Sequence, residues 1–112
     1  MDVDLKNLSE EAWGLWFSRR GARDISLLLY VVWDPVGALG APEAYDEYDG
    51  YAAACLAAIR QDDVDELARV LADIECRMMG FATQAAGLRG TARQLIDGSR
   101  ASVQRWVASQ LE

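Results

Sequence analysis

Histidine is missing from this chain. Its absence excludes a Ser-His-Asp or Cys-His catalytic arrangement and the usual Cys/His zinc sites. There are only two cysteines, Cys55 and Cys76, which fits a reduced compartment. Neither a glycine-rich phosphate loop nor a dinucleotide fingerprint is present, since Gly37 and Gly40 stand at no useful spacing. The longest apolar run, Ile25 to Trp33, is too short to span a bilayer. Met1 to Leu8 carries Asp2 and Asp4 and no apolar core, so a secretory signal is not expected. Internal repeats and low-complexity tracts are lacking too. These absences point to a cytoplasmic protein that is not an enzyme and carries no cofactor.

What is present is apolar and acidic. The chain has 112 residues, 52% of them hydrophobic, enough to fold as one domain over residues 1–112 with a modest core. Its net charge of −7 is unevenly spread. Residues 33–79 hold 11 acids and 3 arginines, whereas residues 80–112 hold 4 arginines and 2 acids. An acidic middle argues against nucleic acid, whose phosphates need cations. It suits a basic protein partner. Solubility alone would account for the same acids.

The pattern reads as all-α, a compact bundle of about five helices. Leu8-Ser9-Glu10-Glu11 opens the first, with Ser9 as N-cap and Leu8 placed to staple against Trp13. Trp13, Trp16 and Phe17 give its apolar stripe. Gly21 either ends that helix or is tolerated within one long helix. A second helix then runs to about Trp33, apolar nearly all round from Ile25 and therefore expected to be buried. Asp63-Val64-Asp65-Glu66 is a capping box, and Val64, Leu67, Leu71, Ile74 and Met78 follow on one stripe. Thr91-Ala92-Arg93-Gln94 is another capping box, opening a last helix with Leu95, Ile96, Val103, Trp106, Val107 and Leu111 inward. Gly80, Gly87 and Gly90 loosen the chain before it, so residues 81–112 read as linker and C-terminal helix. Helices are thus expected near 9–20, 22–33, 42–60, 63–79 and 91–110.

The stretch from Trp33 to Tyr51 joins the apolar run to an aromatic, acidic segment. Asp34-Pro35-Val36-Gly37 suits a β-turn, with Pro at its second position and Gly at its fourth. Pro42 can start the next helix. Tyr45, Tyr48, Ala52, Cys55, Leu56 and Ile59 then fall on one helical face, leaving Glu43, Asp46, Glu47 and Asp49 elsewhere. Those acids are either solvated or a recognition surface. Asp34 either bonds the backbone of its own turn, as aspartate does in Asx turns, or binds a ligand. Carboxylate pairs such as Asp46 with Asp49, or Asp62 with Asp65 and Glu66, have the chemistry to hold magnesium or calcium. The second set lacks the glycine and the spacing of a calcium loop, so no metal site is assigned.

The order W-D-P-V-G, then D-E-Y-D-G-Y, then I-E-C-R-M-M-G resembles the YugE-like family of small uncharacterised bacterial helical proteins, over about residues 23–80. The matching positions are Trp33, Asp34, Pro35, Val36, Gly37, Glu47, Tyr48, Asp49, Tyr51, Ile74, Glu75, Arg77, Met78 and Gly80. The resemblance implies a compact helical core and no catalytic centre. Proteins of this general sort also occur as small partners of bacterial toxins, which is association rather than mechanism.

The short connection at Gln61-Asp62 implies an antiparallel hairpin of the helices near 42–60 and 63–79. Facing residues then have numbers summing to about 123. Cys76 falls opposite Glu47 and Cys55 opposite Ala68, which sets the two cysteines about 12 Å apart along the axis, beyond the reach of a disulfide. The register also puts Arg77 beside Asp46, Glu47 or Asp49.

Three functions follow from this reading. The first is a non-catalytic acidic protein-binding module, such as an immunity protein that neutralises a basic toxin by occlusion. Asp46, Glu47 and Asp49 would meet its cations, and Trp16 and Trp106 would line the interface. The second is a structural or self-associating helical protein, for instance a homodimer. The third is a carboxylate-based enzyme or small-molecule binder.

Overall fold

A computed structural model of the chain describes residues 5–33, 46–78, 80 and 83–110, with the side chains of residues 46–49 and 78 outside that description. Among the described residues there are helices and no strands, so the fold class is all-α. A short 3₁₀ turn at Leu5–Asn7 precedes α1, Glu10–Trp16. Ser9 caps α1 as its sequence implies: its backbone is extended and its hydroxyl accepts from the Ala12 N–H at 3.1 Å. Glu10 and Glu11 follow in the first turn, at the positive end of the helix dipole.

The expected break at Gly21 is not there, and the long-helix alternative holds. From α1 the chain passes through a π turn, Phe17–Gly21, into α2, Ala22–Leu28, and ends in a second π turn, Leu29–Trp33. Residues 10–33 are therefore one helical rod. The reason lies in Trp16 and Gly21. Trp16 is completely buried, and a Cβ on Gly21 would lie 2.6–2.8 Å from three atoms of its indole ring. The bare backbone at Gly21 leaves room for the ring, while the π turn carries the helix past it. Here glycine serves close packing, not chain reversal.

The rod is also not buried all round. Ile25, Leu29 and Tyr30 face the core, but Leu27 is 50% and Val31 71% exposed. An unbroken apolar run on a helix covers every azimuth, and α3 and α5 between them cover only part of the circumference.

The described part of α3 is Asp46–Arg60 and α4 is Val64–Met78. Between them Asp62 takes φ +53°. Its N–H donates to the Ile59 carbonyl at 3.0 Å, and the Asp63 N–H to that of Ala58 at 3.1 Å. This is a Schellman ending with aspartate at the position where glycine is usual. Asp63 then caps α4, its carboxylate accepting from the Glu66 N–H at 3.0 Å. Glu66 itself bonds Arg69, so the box is observed from the Asp63 side. A 3₁₀ turn, Ala85–Leu88, leads directly into α5, Arg89–Gln110. Thr91 consequently lies inside α5 and not at its N-cap, because the 3₁₀ turn has already set the helical direction.

α3 and α5 each pack against both the rod and α4. The shared core contains Trp13, Trp16, Ile25, Leu29, Cys55, Ile59, Leu67, Leu71, Leu95, Ile96 and Val103. At about 25 cal/mol per Å² of apolar surface removed from water, these side chains dominate the folding energy. Trp13 and Trp16 meet edge to face at 5.5 Å. Both cysteines are free, Cys55 buried and Cys76 exposed.

Candidate functional site

Two of the polar links that reach the core join described side chains of different helices. At the end of the rod, Trp33 donates its indole N–H to a carboxylate oxygen of Glu75 on α4 at 2.6 Å. Thr83 donates its hydroxyl to the other Glu75 oxygen, also at 2.6 Å. Tyr51 of α3 lies edge-on to Trp33, with ring centres 5.9 Å apart. Trp33, Tyr51 and Glu75 are thus drawn together from three helices. Glu75 is only 7% exposed. A buried carboxylate needs donors, and it has one on each oxygen. The arrangement holds the open end of the α3–α4 hairpin against the rod.

The second link runs Trp16 to Ser102 to Asp24. The Trp16 indole donates to the Ser102 hydroxyl at 3.0 Å, and that hydroxyl donates to Asp24 at 2.5 Å. Trp16 therefore cannot line a partner interface as expected. It is wholly enclosed, and its one polar atom is used internally. Its helical spacing from Trp13 marked an apolar face without saying whether that face turned inward or out. Trp106 is half-buried and packs against the core edge.

The acids of the hairpin largely meet arginines of the same chain. Asp62 pairs with Arg100 at 2.9 Å, Asp65 with Arg89 at 2.8 Å, and Asp73 with Arg77 at 2.8 Å. Glu66 takes a forked bond from Arg69, and that guanidinium holds its carboxyl below the usual range. Glu10 pairs with Arg60, whose guanidinium also lies 5.5 Å from the Trp13 ring centre. Arg77 thus engages Asp73, one turn back on its own helix. The acids expected beside it, Asp46, Glu47 and Asp49, belong to the first turn of α3, and their side chains lie outside the described residues. Asp34, Pro35, Gly37 and the Tyr48 side chain do so as well. Among the described residues no three acids or cysteines converge on a point that could hold a metal ion.

No known family model, curated protein or solved structure matches the chain. The YugE-like resemblance therefore stands on its motif residues alone.

One surface went unnoticed in the sequence. Arg19, Arg20 and Arg23 surround a shallow hollow with Asp24 and Leu27. A second hollow continues from it along the rod, between Leu27 and Val31 on one side and Arg105 of α5 on the other. The four arginines are exposed and have no ion-pair partner among the described residues. The signal was available: Arg20, Arg23, Leu27 and Val31 recur at helical spacing. An overall charge of −7 drew attention to the acids instead.

Buried Cys55 has its thiol pushed up to about 12 by desolvation, so it is inert as a nucleophile. No described helix is long and apolar enough to cross a membrane.

Proposed function

We propose that this chain is a non-catalytic protein-binding module whose acidic segment, residues 34–49, meets a basic protein partner. The observation that carries the reading is the distribution of acids over available cations. From Asp62 to Asp73 the carboxylates meet Arg69, Arg77, Arg89 and Arg100 or cap a helix. Residues 34–49 contain Asp34, Glu43, Asp46, Glu47 and Asp49 and no basic residue. The chain's acidic surplus therefore concentrates there. A local surplus of this kind raises the association rate with a cationic surface and suppresses wrong partners. Within the YugE-like resemblance, the partner is proposed to be a basic toxin such as a nuclease, held in the cytoplasm and blocked by occlusion.

The test uses the tagged chain as bait in its native host, alongside an Asp46→Asn/Glu47→Gln/Asp49→Asn variant. Recovery of a basic protein by the wild type, lost in the variant and weakened by salt, supports the proposal. A partner that the variant binds equally well refutes it.

A further inference from the structure

The arginine-rimmed groove between the rod and α5 carries a second inference, independent of the acidic segment. We propose that this groove is a docking site for an acidic amphipathic helix of another protein. The groove is narrow because the two helices approach closely at Gly98, where a Cβ would lie 2.8 Å from the Leu28 side chain, and Asp24 and Ser102 line it beside these apolar groups. Leu27 and Val31 stand along one wall, 50% and 71% exposed. Neither belongs to the hydrophobic core, which the same rod enters through Ile25 and Leu29. Isolated apolar residues on a surface are ordinary. These two border a continuous groove whose rim is cationic from Arg19 to Arg23 and again at Arg105.

The chemistry of the rim selects the occupant. A chain of net charge −7 keeps four exposed arginines here without carboxylate partners among the described residues. A helix with an apolar stripe and flanking carboxylates satisfies both features at once: its stripe covers Leu27 and Val31 while its acids reach the guanidiniums. From Arg20 to Val31 the stripe is about 17 Å long, three turns of such a helix. A second copy joined by a two-fold axis would place arginine against arginine. A phosphate backbone would leave the apolar wall unused. A flat anionic membrane could not follow the hollow. A protein helix fits best.

The probe is a fluorescent peptide of about 16 residues, long enough for four turns, with leucines on one helical face and glutamates on both flanks. A scrambled peptide of the same composition keeps its charge and loses its stripe. Both are titrated by anisotropy with the full chain, with Arg20→Glu/Arg23→Glu and with Val31→Asp. The patterned peptide is expected to bind at least about tenfold tighter than the scrambled one, and each variant to lose at least about tenfold. All three substituted residues are exposed, so far-UV spectra and melting temperatures should be retained; Leu27→Asp replaces any variant that fails this check. Equal binding of the two peptides, no saturable binding, or undiminished binding by the variants would overturn the proposal. So would tighter binding of a DNA duplex or of vesicles containing phosphatidylglycerol.

Discussion

Replacing Gly21 by alanine puts a methyl group where the Trp16 ring now lies. In a helix interior the change should help, because alanine is the better helix former by about 0.8–1.0 kcal/mol. Here the new Cβ would sit 2.6, 2.7 and 2.8 Å from three ring carbons. Real Cβ atoms do not approach that closely, so the ring or the backbone must move. Trp16 has nowhere to go, being 0% exposed and packed between Trp13 and the tilted ring of Phe17. Overpacking of this kind costs about 1–3 kcal/mol. A shifted ring also strains its bond to Ser102, and a buried indole N–H left unpaired costs about 1–3 kcal/mol more. With the propensity gain subtracted, Gly21→Ala should destabilise by about 1–5 kcal/mol, the upper end applying if the indole loses its bond. In a chain of this length that lowers the melting temperature by about 4–20 °C. Gly14→Ala, seven positions earlier, is the control: nothing lies within 4 Å of its added Cβ. It should stabilise by about 0.5–1 kcal/mol. Thermal melts and urea titrations of both variants decide the matter, with near-UV circular dichroism reporting the indole. If the two variants shift stability in the same direction by similar amounts, the account of the π turn is wrong.

Glu75→Ala should cost about 1–3 kcal/mol in urea unfolding, since Trp33 and Thr83 both lose their acceptor. Glu75→Gln should cost less, because the amide oxygen can still accept from Trp33 and the Thr83 hydroxyl can turn to accept from the amide; equal costs would count against this hub. In native protein at pH 8 a thiol reagent should titrate Cys76 alone, with Cys55 reacting only after denaturation. The thiol of Cys55 rises on folding from 9.0 to about 12, so its contribution to stability is complete below 9.0 and is lost as pH climbs toward 12. A Cys55→Ser variant, lacking that titration, should lose stability less steeply over this alkaline range.

The helices were legible because capping and periodicity agreed. Ser9 and Asp63 sit where side-chain caps are needed, and both are used as caps. The α3–α4 turn was placed at Gln61-Asp62, although its left-handed residue is an aspartate. Two features escaped for a common reason. Gly21 reads locally as a stop, and Trp16 as a candidate surface aromatic. Only their mutual contact across a π turn explains either one, and that contact depends on a hydrogen-bond offset that a 3.6-residue period does not contain. Thr91 failed differently: its capping pattern is sound, but a turn begun at Ala85 pre-empts it.

Charge was the hardest feature to read, and the structure shows why. A count along the sequence assigns residues 33–79 a net charge of −8, as if that whole stretch presented one acidic face. Folding brings α5 alongside α4, and Arg89 and Arg100 neutralise Asp65 and Asp62. The arginines of residues 80–112 are therefore not a basic tail opposed to an acidic middle; two of the four complete the hairpin. Arg100 does so at 25% side-chain exposure, partly withdrawn from water. An ion pair there is screened less than one at the open surface, and removing one member leaves the other poorly solvated. The charges that remain for a partner are those the fold leaves unmatched. On the described surface these include Arg19, Arg20, Arg23 and Arg105 beside two exposed apolar side chains. A protein acidic by composition thus presents, on one face of its first helical rod, a cationic groove.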